Sequence, residues 1–134
     1  MLLSLSRSGH FKASTMKPNA HKCAAMATKV YPYFVRIEAL DTRLSPEGFL
    51  FNNERVQNYF DNRFGHKAPE WDAISCELMA LTAAKELAQT LLSEGIEVQS
   101  VECCILGSNG AQITSKWTNT ERSNANGSTV EAVA

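Results

Sequence analysis

From Tyr31 to Leu40, Phe34, Val35 and Ile37 are interleaved with the outward-pointing Arg36 and Glu38, the period-two pattern of a half-buried strand. Pro32 lacks a ladder donor and places the start of this strand at a sheet edge. Asp41 to Gly48 is rich in turn residues, and Phe49-Leu50-Phe51 resumes strand character, which predicts a hairpin. Val56, Phe60 and Phe64 then recur at four-residue intervals, with Tyr59 widening the stripe, so a first helix is expected between a cap at Asn52 or Asn53 and a stop at Gly65. A second helix is expected from Ser75 to Glu94. Ser75 caps it, Glu77 meets the positive end of its dipole, and Leu78, Leu81, Ala84, Ala88 and Leu91 form its apolar face. Strand character returns from Ile96 to Leu106 and again from Ala111 to Trp117, around Asn109-Gly110, a strong hairpin signal because both residues accept positive φ. The expectation is an α+β fold of order ββααββ, an antiparallel sheet with two helices on one face.

Outside residues 30–117 this reading finds nothing to pack. Residues 1–29 read as a disordered basic extension or targeting segment, and residues 118–134 as a disordered polar tail, both dispensable for folding. At 134 residues and 44% hydrophobic content there is room for one domain with a modest core. The formal net charge is −1, which excludes the general basic field of a nucleic-acid binder. The charge is divided unevenly. The first 29 residues carry Arg7, Lys12, Lys17, Lys22 and Lys29 and no acid, whereas the remainder holds eight basic and fourteen acidic residues, a net of −6. No apolar run reaches the roughly 20 residues that span a bilayer, so a soluble cytoplasmic protein is expected, with an organellar location as the alternative if residues 1–29 act as a transit peptide. Cys23, Cys76, Cys103 and Cys104 lack paired metal-ligand spacing and read as reduced thiols, and adjacent Cys103 and Cys104 should point to opposite faces of their strand.

Candidate chemistry is concentrated in four segments: Tyr33-Phe34-Val35-Arg36-Ile37, Gly48-Phe49-Leu50-Phe51-Asn52, Phe64-Gly65-His66-Lys67 and Ser75-Cys76-Glu77-Leu78. In order and spacing they resemble the 6-pyruvoyl-tetrahydropterin synthase and 6-carboxytetrahydropterin synthase family over about residues 31–117. The resemblance implies a tunnelling fold, in which sheets join edge to edge into a barrel with ligand sites between subunits. It also implies zinc on three histidines, including a His-x-His just before the Tyr-containing strand, and a Cys, Asp and His set that moves protons. The residues before Tyr33 are Lys29, Val30, Tyr31 and Pro32, and the upstream His10, His21 and Cys23 have another spacing. The aspartate position is Gly65, which leaves His66 as the catalytic candidate, although a lone His in a polar loop is more often a solvated side chain. The family's pterin-anchoring glutamate falls near Ile105, with Glu102 out of frame; Glu77, Ser75 and Cys76 are the ligand-binding candidates.

The expectation is therefore a diverged, non-catalytic relative without a cofactor, binding a pterin- or purine-like ligand or acting in assembly. Its expected partner is itself, through sheet edges, with no nucleic acid and no membrane. Two alternatives stand: an active lyase of the same type, which would need zinc, and a small α+β protein-interaction module.

Overall fold

The computed structural model describes residues 1–13, 30–40, 44, 46–48, 50–65, 75–107, 110–119 and 128–133. Its elements are β1 (Leu2–Lys12), β2 (Val30–Leu40), α1 (Glu54–Arg63), α2 (Cys76–Ser93), β3 (Val98–Leu106), β4 (Gln112–Thr118) and β5 (Ser128–Val133). The strands form one antiparallel sheet in the order β1-β2-β3-β4-β5. The α+β class and the ββααββ succession hold, extended by a fifth strand.

Two expectations about the termini are corrected. Leu2–Lys12 is a strand paired along its whole length with β2, from Leu2 opposite Leu40 to Lys12 opposite Val30. Leu3, Leu5 and Phe11 share a face under period-two geometry, and β2 supplies the ladder that a serine-rich segment lacks by itself. Phe11 and Ala13 enter the core at 1% and 3% exposure, so residues 2–13 contribute to the sheet and the core, against the expectation from sequence. At the other end Ser128–Val133 pairs with β4, where it satisfies the backbone groups of that edge. A third correction concerns Phe49-Leu50-Phe51. Phe49 lies outside the described residues, whereas Leu50 and Phe51 form a bend packed partly against the core. The hairpin partner of β2 is β1.

Pro32 is tolerated because the β2–β3 ladder begins one residue later, at Tyr33 opposite Ile105; Pro32 faces only His10 of β1. A register shift between Glu38 and Ala39 leaves Gln99 as the extra residue of a bulge, and Leu40 then donates to the Glu97 carbonyl at 3.0 Å. At the β3–β4 turn Gly110 has φ +86° and donates to the Gly107 carbonyl at 3.1 Å. Asn109 lies outside the described residues.

Tyr31, Tyr33, Val35, Ile37 and Ala39 on β2, Val101, Cys103 and Ile105 on β3, and Ile113 and Trp117 on β4 are all buried on one side of the sheet. Both helices cover that side. Met79, Ala80, Ala83, Ala84, Leu87, Ala88 and Leu91 are the buried residues of α2, while Leu78, expected inside, is 40% exposed. The alanines let the helix lie close to β3 and β4. α1 adds Val56 and Phe60. Its first turn is capped by Asn52, whose Oδ1 accepts from Glu54 N–H at 3.0 Å, because the side chain of Asn53 is engaged elsewhere. Arg55 near the start of α1 makes a bidentate pair with Glu94 past the end of α2, which holds the Glu94 carboxyl below its usual range. Both side chains are about two-fifths exposed, so the pair adds at most about 1 kcal/mol.

Candidate functional site

Polar chemistry converges where β1, β2 and α1 meet. β1 brings Arg7 and Gly9, β2 brings Tyr33 opposite Gly9, and α1 brings Gln57 and Asp61, one turn apart on one face. The Tyr33 hydroxyl donates to Gln57 Oε1 at 2.7 Å; Gln57 Nε2 donates to the His10 carbonyl at 3.0 Å and to Asp61 Oδ1 at 3.1 Å. Arg7 Nη1 donates to Asn53 Oδ1 at 2.7 Å. Burial pushes the Tyr33 phenol above its ordinary range, against the opposing pull of the neighbouring Arg7 guanidinium.

Gly9 is part of this arrangement because the Tyr33 side chain crosses over it. A Cβ there would stand 2.6 Å from the Tyr33 hydroxyl and from Gln57 Oε1. Beneath the polar groups the Tyr33 ring stacks on Phe60 at 4.2 Å, and Phe11 stacks on Phe60 at 5.2 Å with Tyr31 and Phe64 alongside. Gln57 Oε1 and Asp61 Oδ1 both accept from within the cluster, and these contacts clasp β1 and β2 to α1.

A second network links the helices. The Tyr59 hydroxyl and Arg63 Nε both donate to Glu86 Oε1, and the Arg63 guanidinium lies 5.1 Å from the Phe64 ring centroid. Burial first, then the hydrogen bond to Glu86, drives the Tyr59 phenol far above its ordinary value. In an unfolded chain this phenol ionises near pH 10. The folded chain resists that ionisation, so stability is complete below about pH 10 and falls as pH rises beyond it. Alkaline denaturation of Tyr59→Phe is expected to show a shallower loss between about pH 10 and 12 than the parent. Equal slopes would show that Tyr59 does not carry the effect.

The expected site residues are placed as follows. Ser75 is the N-cap of α2, its Oγ accepting from Leu78 N–H at 3.1 Å, so its acceptor serves the helix. Cys76 is half-buried against the core, and Glu77 is exposed in the first turn. These three share one helix end, with Glu77 the side chain that reaches solvent. His66 lies outside the described residues. An open groove of about 350 Å³ is lined by Leu92, Gly95, Ile96, Glu97, Gln99 and Asn119 at the opposite end of α2, one 18-residue helix away. Cys103 is buried, and burial pushes its thiol up; Cys104, on the other face of β3, is half-buried, as its neighbouring position requires. Among the described residues no three His, Cys, Asp or Glu side chains gather into a metal-holding group, and no helix is long and apolar enough to cross a membrane.

Arg7, Gly9, Gln57 and Asp61 did not stand out in the sequence. The available signal was the i, i+4 pair of Gln57 and Asp61 together with an arginine and a glycine at inward positions of an alternating segment. Neither a family model nor a curated protein matches this chain.

Proposed function

We propose that this chain is a diverged tetrahydropterin-synthase-like protein on a tunnelling-fold plan, cytoplasmic and non-catalytic, that binds a pterin- or purine-like ligand and assembles with itself through its sheet edges. Support for the relationship comes from the element order: two long paired strands, two helices on one face, and further strands added in sequence, of which β3 and β4 complete the ββααββ plan and β5 extends it. Support for lost catalysis comes from what occupies three positions. Tyr31, one of the four residues before Tyr33 among which the resemblance would place a His-x-His, is 1% exposed and lies 5.9 Å from the Phe11 ring centroid. Gly65, in the place of the aspartate, donates to the Phe60 carbonyl at 2.8 Å, and a Cβ there would come within 2.8 Å of Asp61 Cα. Ile105, near the place of the pterin-anchoring glutamate, is fully buried opposite Tyr33 and Ile113. A carboxylate at Ile105 would be a buried charge among apolar side chains. The observation that carries this reading is that residues of the core fill the positions of the chemistry.

The purified protein is expected to leave dihydroneopterin triphosphate unconverted while quenching the fluorescence of an added pterin. Glu77, the exposed carboxylate among the candidates, is expected to receive the 2-amino edge of the ring. Glu77→Gln should weaken binding roughly tenfold or more, the loss of a charge-assisted hydrogen bond. His66→Ala tests the remaining family-like residue in the same titration. Measurable turnover would overturn the loss of catalysis, and affinity unchanged in both variants would overturn the assigned ligand contacts.

A further inference from the structure

We draw no further inference here: the strongest candidate, the open groove at the C-terminal end of α2 with the exposed Glu97 on its wall, has no unpartnered buried polar side chain among its lining residues, and nothing in the structure shows what covers it.

Discussion

Phe11→Ala is expected to cost about 3–5 kcal/mol of folding free energy, the range for removing a fully buried aromatic ring. The ring is 1% exposed and lies 5.2–6.5 Å, centroid to centroid, from Tyr31, Tyr33, Phe60 and Phe64, so its loss opens the aromatic cluster joining β1, β2 and α1. Two features make the effect large. The cavity is walled by rings of β2 and of α1 with its C-cap Phe64, which limits collapse, and β1 is an edge strand anchored at this end by that ring. Leu2→Ala, at a position 50% exposed, should change stability by no more than about 0.5 kcal/mol. Urea denaturation of both variants makes the comparison. A Phe11→Ala midpoint equal to the parent's would mean that residues 2–12 do not belong to the folded sheet.

Gly9→Ala carries the second large expected effect. The added Cβ would lie 2.6 Å from the Tyr33 hydroxyl and 2.8 Å from its Cζ, so the ring or the strand has to move. The ring is not free to swing, because it stacks on Phe60 at 4.2 Å and its hydroxyl is held by Gln57. Overpacking of this kind costs about 1–3 kcal/mol, and the displaced Gln57 amide would release the His10 carbonyl as well. Ser8→Ala, beside it on the exposed face, serves as the control and should be near neutral. A Gly9→Ala protein as stable as the parent, with the Tyr33 environment unchanged by near-ultraviolet circular dichroism, would contradict the crossing of Tyr33 over Gly9.

The middle of the chain was legible because its local signals agree with its tertiary surroundings. β2, α2 with its Ser75 cap, and the β3–β4 hairpin at Gly110 fall within a few residues of their expected bounds. β1 was illegible for an identifiable reason. Its Leu-Ser alternation is period two, but the inward series continues through Arg7 and Gly9 before reaching Phe11, and those two look like surface residues until Asn53, Gln57 and Tyr33 are placed around them. β5 contains one acidic and several small residues, and its pairing with β4 is a backbone property with little side-chain signature. Phe49-Leu50-Phe51 misled in the opposite sense, since an apolar run predicts burial and says nothing about whether it pairs. Among the candidate site residues, the helix-end position of Ser75 and Glu77 was readable from capping rules, whereas the clasp around Tyr33 depends on contacts 24 to 47 residues apart in the chain.

The measurement that bears most directly on the loss of catalysis is native mass spectrometry of the protein exposed to zinc and then exchanged into metal-free buffer. Lys29, Val30, Tyr31 and Pro32, the residues before Tyr33, offer no imidazole where the resemblance would require a His-x-His, and Tyr31 is buried against Phe11. The expected spectrum shows chains without bound metal. A stoichiometry near one zinc per chain, abolished by replacing His10, His21 or Cys23, would contradict the proposed divergence and restore the reading of an active zinc-dependent lyase.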